Sequence, residues 1–265
     1  MKKIAVLIDF TSICDKALEF AGKIAAQAGS VLVLVHVADF GSETEADSLN
    51  EKLQNLHAKA PAGVTIIDHV GYGSFFSVIP TVISDLGVDL VVVPTHGKIG
   101  IMQNLLGANI LKLVKTLPVP SLVVQADSVY SASSFGSLLF PVGPHKHFEV
   151  KYKQTANFAK VFDSNVVVYT VRNDIRGISD QIRRNINDSI EYFDAAGVKF
   201  EEVSEDPKGF SAGYAKHILS YAKAHNIGTI CIMPVISEDN DYIGNADKEN
   251  ILLNSSKLPV LCTNS

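Results

Sequence analysis

The chain repeats itself, and this repeat limits what it can fold into more than any other feature. Four landmarks define it: Ala28–Val37 with Phe162–Val171, Ala62–Val64 with Ala196–Val198, Pro94 with Pro234, and Pro120 with Pro259. The first two pairs are 134 residues apart, and the last two are 140 and 139 residues apart. A nearly constant offset indicates a tandem duplication. We therefore predict two homologous domains, at residues 1–127 and 136–265, on either side of the small-residue linker 131–134.

Buried strands alternate with amphipathic helices in the first half. The predicted strands are Ile4–Ile8, Val31–Val37, Val64–Ile67, Leu90–Val93 and Ser121–Val124. All but the third are apolar without alternation, which is typical of strands covered on both faces. Thr11–Gly29 has apolar residues at helical spacing, with Gly29 as its stop. This order predicts an α/β fold: two tandem doubly wound, parallel, five-stranded Rossmann-like sheets, packed as a pseudo-twofold pair.

Composition and charge exclude several classes of protein. The chain is 47% hydrophobic and 19% charged, with a net charge of −5, so it can bury a core and has no basic patch for nucleic acid or a membrane surface. No apolar run is long enough for a spanning helix. The N-terminus resembles a buried strand more than a signal peptide. The three cysteines, Cys14, Cys231 and Cys262, are widely spaced and are predicted to be buried thiols. We expect a soluble cytoplasmic protein.

Ligands of open parallel sheets bind beyond the carboxyl ends of the strands. In the first half, the segment from Gly97 to Asn109 connects a strand to a helix. The glycines and the helix N-terminus in this segment could bind a phosphate. The alternative is an ordinary loop in which the glycines occupy positions with positive φ. The sequence of the loop, considered by itself, favours this alternative. Asp9 follows the first strand and could bind a base or ribose, or cap the next helix; its position does not distinguish the two.

Signatures of catalysis and of metal binding are missing from the sequence. There is no GxxxxGK[ST] or GxGxxG motif and no phased Ser-His-Asp set, and no paired carboxylates stand out as an acid and a base. His145 and His147 lack further ligands nearby, and His36 and His96 are better read as hydrogen-bonded structural residues. We therefore predict no catalytic residue and no metal site.

Two blocks of sequence resemble the universal stress protein family in its tandem form. They are Leu7–Ser12 with the following helix and Val33–Val37, and Val91–Gly97 continuing through Gly107 to Val124. The resemblance covers essentially the whole chain and implies the adenine nucleotide alpha hydrolase-like fold. ATP-binding members carry Gly, two residues, Gly, nine residues, Gly and Ser or Thr. Here those positions hold Pro94, Gly97, Gly107 and Ala108, so two of the four are kept.

The resemblance implies an adenine-nucleotide site in the first half. The residues it assigns are Ile8, Asp9, Val37, Pro94, Thr95, His96, Gly97, Gly107, Ala108 and Asn109. Pro94 offers no N–H and adds bulk where ribose approaches in the family. Ala108 keeps its amide but lacks the hydroxyl that would bind a phosphate. One lost hydrogen bond to a charged group is worth about 1.5–3 kcal/mol, so affinity would fall at least tenfold.

The second half has lost this pattern. Gly143 stands where the first half has Asp9, and Ala246 stands at the position of Gly107. Asp247 is then expected to face and repel a phosphate, and the acidic run 238–241 follows the equivalent strand. We predict that the second half binds no nucleotide and serves as a packing partner.

The expected function is that of a stress-response protein that binds ATP or AMP in its first domain at most. Mg²⁺ would accompany ATP, and the protein would act as a sensor or by binding a partner, without enzymatic activity. Two alternatives stay open: a nucleotide-independent interaction or dimerisation module, which Pro94 and Ala108 favour, and a slow ATP hydrolase. The expected partners are the other half of the chain and a second copy of it, with neither nucleic acid nor membrane.

Overall fold

The chain forms two compact units, Met1–Tyr130 and Ser131–Ser265. The structure is a computed structural model. It describes residues 1–38, 43–95, 107–131, 133–172, 178–206, 214–235 and 244–264.

The first unit alternates strands and helices from its first residues. Its elements are β1 (Lys3–Ile8), α1 (Ser12–Ala28), β2 (Val31–Ala38), α2 (Glu43–His57), β3 (Ile66–Tyr72), α3 (Phe75–Leu86), β4 (Leu90–Thr95), α4 (Gly107–Thr116) and β5 (Ser121–Gln125). The strands pair in parallel in the order β3-β2-β1-β4-β5. Strands that run in parallel need crossover connections, and the helices provide them.

The second unit repeats this arrangement. Its elements are β6 (Ser137–Pro141), α5 (Glu149–Phe162), β7 (Asn165–Val171), α6 (Asp180–Ala195), β8 (Lys199–Glu205), α7 (Tyr214–Ala224), β9 (Thr229–Ile232), α8 (Asn245–Leu252) and β10 (Val260–Cys262). The parallel order β8-β7-β6-β9-β10 is the same as in the first unit when the strands are counted within each unit. The predicted fold class, two tandem doubly wound parallel sheets of five strands, is confirmed.

The core of each unit lies on both faces of its central strands. The residues of β1 from Ile4 to Ile8 and those of β4 from Leu90 to Val93 are all buried, which explains their unbroken apolar sequence. The predicted first helix is confirmed as α1, and Gly29 ends it in the left-handed conformation, with φ 63°. All three cysteines are free and buried, as expected.

Two strand boundaries differ from the prediction. The third strand occupies Ile66–Tyr72 instead of 64–67, because residues 61–64 form a turn in which Val64 N donates to Pro61 O. The fourth strand continues past Val93 to Thr95, so Pro94 lies inside a strand and not in the loop that we expected. Pairing with β5 holds this extension, in the register Pro94 with Val124 and Thr95 with Gln125. Among the described residues, no helix is long and apolar enough to cross a membrane.

Candidate functional site

The order of strands in the first unit creates a crevice between β1 and β4. The order in which the chain adds strands to the sheet changes side here, since β2 and β3 lie on one side of β1 while β4 and β5 lie on the other. β1 pairs with β2 as far as Ile8 with His36, but its pairing with β4 ends at Val6 with Val92. The carboxyl ends of β1 and β4 are therefore unpaired with each other, at the place where ligands bind in open α/β sheets.

Pro94 explains why the two strands separate. In β4, Val91 N donates to Pro120 O and Thr95 O accepts from Ala126 N, so the polar groups of residues 91 and 95 face β5. Backbone groups alternate along a strand, and those of residue 94 therefore face β1. Proline has no N–H, so the ladder between β1 and β4 cannot continue at this residue. The proline that departs from the family pattern thus also keeps the crevice open.

Asp9 organises the turn between β1 and α1. Its Oδ1 accepts hydrogen bonds from Thr11 N at 3.0 Å and from Thr11 Oγ1 at 2.6 Å. The Cys14 thiol is 2.8 Å from the same oxygen, and Asp9 N donates to Cys14 Sγ at 3.1 Å. An aspartate that binds the amide two residues ahead forms an Asx turn. Oδ1 of Asp9 is therefore committed to this turn.

The thiol of Cys14 is an inert part of this turn. Burial raises its pKa to about 12, and the hydrogen bond and negative charge of Asp9 also raise it. A thiol in this state is neither a nucleophile nor a metal ligand at neutral pH. Cys14 therefore holds the carboxylate in place as a neutral donor.

An aromatic pair covers the ends of β1 and β2. His36 Nδ1 lies 2.8 Å from Ile8 O and must donate to it, because a carbonyl only accepts. The His36 ring packs against Phe10, with ring centroids 4.6 Å apart. Phe10 has φ 60°, a left-handed backbone conformation that residues other than glycine rarely adopt. The expected structural role of His36 agrees with these contacts.

The described residues of the predicted nucleotide site lie at one edge of the sheet. Ile8, Pro94 and Thr95 are buried, Asp9 and Val37 are half-buried at strand ends, Gly107 begins α4, Ala108 is exposed, and Asn109 is half-buried. Val37 is in register with Gly71, where an added Cβ would lie 2.7 Å from Val78 Cγ1. His96 and Gly97 lie outside the described residues. In the described part of the chain, no three His, Cys, Asp or Glu residues are grouped so that they could hold a metal ion.

Comparison with known proteins matches this unit to a family. Residues 1–125 match the model of the Universal stress protein family. The first unit is a universal stress protein domain. No curated protein matches the chain.

Solved structures of universal stress proteins share the fold of the chain. One from Archaeoglobus fulgidus DSM 4304 has a TM-score of 0.70 at 15% identity, over 99% of this chain and 96% of that one. A putative universal stress protein from Pseudomonas aeruginosa UCBPP-PA14 has a TM-score of 0.61 at 17% identity, over 100% of this chain and 93% of that one. A protein of unknown function from P. aeruginosa PAO1 has a TM-score of 0.62 at 17% identity, with coverages of 100% and 92%.

The second unit fills the corresponding crevice, between β6 and β9, with lysine side chains. Lys151, from α5, donates to Pro141 O at the end of β6. Lys248, from α8, donates to Val235 O, just beyond β9, and is 3.4 Å from Pro234 O. The two lysines are 2% and 1% exposed. The carbonyl groups of Pro141 and Val235 at these strand ends therefore already accept hydrogen bonds from the protein itself.

His145 and Asn185 fix the loop that replaces the Asp9 turn. His145 Nε2 lies 3.2 Å from Val235 O, which Lys248 also binds. Asn185, a buried residue of α6, donates to Gly143 O at 2.7 Å and to His145 O at 2.9 Å. Burial, with further repulsion from Lys151 and Lys248, lowers the pKa of His145 to about 4. The loop after β6 is thus anchored through neutral donors at neutral pH.

Asp247 binds a neighbouring helix, and its expected repulsion of a phosphate stays a prediction. Asp247 Oδ1 accepts a hydrogen bond from Ala215 N at 3.3 Å, and so binds the backbone at the start of α7. The aspartate serves as an acceptor for helix N–H groups. The acidic run 238–241 lies outside the described residues. The described side chains that occupy the second crevice are basic residues, which the sequence did not suggest.

Sequence reasoning did not single out Cys14 as a partner of Asp9, nor Lys151 or Lys248 as residues of a crevice. A lysine in a helix ordinarily indicates a solvated face. The signal that identifies Lys151 is the repeat itself, because the position 134 residues earlier holds Ala17, which is fully buried in α1.

Proposed function

We propose that this protein binds an adenine nucleotide, AMP or ATP, in the crevice between β1 and β4 of its first unit, and acts in a stress response by changing conformation or partner. The observation that carries the proposal is the open end of the β1–β4 ladder in a universal stress protein domain. Asp9 and Val37 stand at one side of this opening and Pro94 at the other.

The start of α4 supports a place for the phosphates. Gly107, Ala108 and Asn109 form its first turn, where backbone N–H groups lack partners within the helix. Such amides favour anions, and the glycine lets a phosphate approach closely. A nucleotide with its base near Asp9 and its phosphates toward α4 would use these groups, with Mg²⁺ held by the phosphates when ATP is bound.

Two other functions compete with this one. Pro94 and Ala108 favour an interaction module that has lost nucleotide binding, since each removes a contact that the family pattern supplies. A slow ATP hydrolase is less well supported, because among the described residues of this crevice no side chain is placed as a general base. Pairing of the two units within the chain stays a prediction. Pairing of two whole chains is a separate prediction, which measurement of the mass in solution tests.

Calorimetric titration of the full chain with AMP, ADP and ATP, with and without Mg²⁺, tests the proposal. We expect one site per chain, which Gly107→Asp abolishes by placing a carboxylate among the phosphate-binding amides. The matched control is Gly244→Asp, at the N-cap of α8 in the second unit, where an added Cβ meets open space. This control should leave binding unchanged.

The alternatives give different results in the same experiment. Absence of binding at millimolar nucleotide would contradict the proposal and favour the interaction module. ATP turnover that persists through repurification and is lost with Gly107→Asp would favour the hydrolase. Binding that is lost with the control instead would place the site in the second unit.

A further inference from the structure

We propose that the second unit is a proton sensor in which Lys151 is the sensing group. The closed crevice holds the lysine as a neutral amine. When the pH falls, the amine is protonated and the loop between β6 and α5 opens. This inference does not depend on nucleotide binding by the first unit. It rests on the surroundings of one buried side chain.

Lys151 has an environment that suits an amine better than an ammonium ion. The side chain is 2% exposed, and its Nζ donates to Pro141 O. Two aromatic rings flank it, with Nζ 4.4 Å from the Phe140 centroid and 5.3 Å from the Phe148 centroid. In the described part of the chain, Lys151 has no carboxylate partner. An ammonium ion has three N–H groups. The carbonyl and the two ring faces attract its charge, but they do not replace the hydration that burial removes.

The charged groups that face Lys151 from neighbouring elements add to the cost of its charge. Lys248 of α8 repels it, and His145 in the loop after β6 would do so when protonated. Cys231 of β9 is fully buried and its pKa is raised to about 12; its interaction with Lys151 raises the pKa of the lysine, without offsetting the effect of burial. Thr155, also on α5, is buried and uncharged. Glu238, Asp239 and Asp241 follow β9 in the chain and lie outside the described residues.

These contacts fix the direction of the response. Burial, with repulsion from Lys248, lowers the pKa of Lys151 from 10.5 to about 7. A state in which the side chain reaches water would restore the ordinary value, so that state binds one more proton between pH 7 and 10.5. As pH falls through this range, the open state gains population relative to the closed one. His145 adds to the same trend at lower pH, since its pKa falls from 6.5 to about 4 in the closed state.

The segment that protonation would release is the loop 142–148. Lys151 binds the residue that precedes it, and Phe148, whose ring contacts the lysine, ends it. His145 in its middle binds Val235 O, the same acceptor that Lys248 uses. Loss of the Lys151 contact therefore removes one of the anchors that hold the strand ends of β6 and β9 together through this loop.

Titration of lysine side chains by NMR tests the proposal directly. The full chain, with lysine labelled with ¹³C at Cε, is followed from pH 5.5 to 10.5. We expect one resonance to titrate near pH 7, to be missing in Lys151→Met, and to be unchanged in the matched control Lys153→Met, an exposed lysine two positions along α5. If no lysine resonance titrates below pH 9, the proposal is wrong.

A second variant provides a test that does not require Lys151→Met to fold. Lys248→Met removes the repelling charge, so the low midpoint of Lys151 should move upward. Amide hydrogen exchange of residues 142–148, corrected for the intrinsic effect of pH, measures the opening. Its opening constant should be on the order of 30-fold larger at pH 6 than at pH 8.5, from the two pKa values of Lys151. Equal constants at the two pH values would show that the proton does not control the loop.

Discussion

Replacing Lys151 with methionine should stabilise the second unit at low pH and lose this effect as pH rises. A pKa lowered from 10.5 to about 7 means that the charged lysine destabilises the folded second unit by about 5 kcal/mol below pH 7, at about 1.4 kcal/mol for each tenfold change. This destabilisation falls to about 2 kcal/mol at pH 9 and vanishes above 10.5. Methionine has nearly the same length and no charge, but it leaves Pro141 O without its donor, which costs about 1–3 kcal/mol at every pH.

The variant should therefore be more stable than the natural chain at pH 6, by about 2–4 kcal/mol, and about equal to it at pH 9. Urea unfolding at pH 6, 7.5 and 9 measures the difference in the free energy of unfolding. Tyrosine fluorescence reports mainly on the second unit, because the chain has no tryptophan and six of its eight tyrosines lie there. Lys153→Met is the control. A difference that stays constant within 1 kcal/mol between pH 6 and pH 9 would refute the linkage.

Three further predictions concern other parts of the molecule. Gly228→Ala should lower the free energy of unfolding by about 3 kcal/mol in urea titrations, because the added Cβ would lie 2.3 Å from Ser133 O. The control is Gly136→Ala, whose Cβ would lie 3.7 Å from the same atom and which should cost less than about 1 kcal/mol. Equal effects of the two variants would contradict the predicted clash at Gly228. Ala108→Ser should tighten AMP or ATP binding about tenfold or more in calorimetry, and an unchanged affinity would place no phosphate there. Burial raises the pKa values of Cys14 and Cys231 to about 12. At pH 8 the thiols of the folded chain should therefore react with a disulfide reagent at least about 100-fold more slowly than those of the urea-unfolded chain. Equal reaction rates would contradict the burial of these thiols.

Most of the fold could be predicted from the sequence because the central strands are covered on both faces. Such strands need apolar residues at every position, and this leaves unbroken runs such as Ile4–Ile8. β3 lies at the edge of its sheet and carries Asp68 and His69, so its pattern is weaker, and the predicted boundaries were two residues early at the start and five at the end. Asp68 is bound there by His57 Nε2 at 2.8 Å, a contact that no local pattern reveals.

The candidate site was harder to predict, because its chemistry depends on which direction each backbone group faces. The sequence shows Pro94 as the loss of a glycine from a motif. The register of β4 with β5 shows in addition that the missing N–H is on the side of β1, where it ends the ladder. Asp9 is similar, since its position left two roles open, and the bonds to Thr11 and Cys14 assign its Oδ1 to the turn.

The two crevices show how a duplicated fold can acquire a second use. Strand order and helix positions are the same in both units, so a residue at the position of buried Ala17 must be buried in the second unit too. That residue is Lys151, and a buried lysine must find an anion, reach water or lose its proton. The described residues around it offer a carbonyl, two aromatic rings, the thiol of Cys231 and a second lysine, and none of these is a carboxylate. Loss of the proton is then the remaining way to keep the crevice closed, and this links the second unit to pH through the strand ends that correspond to those at which we propose nucleotide binding in the first unit.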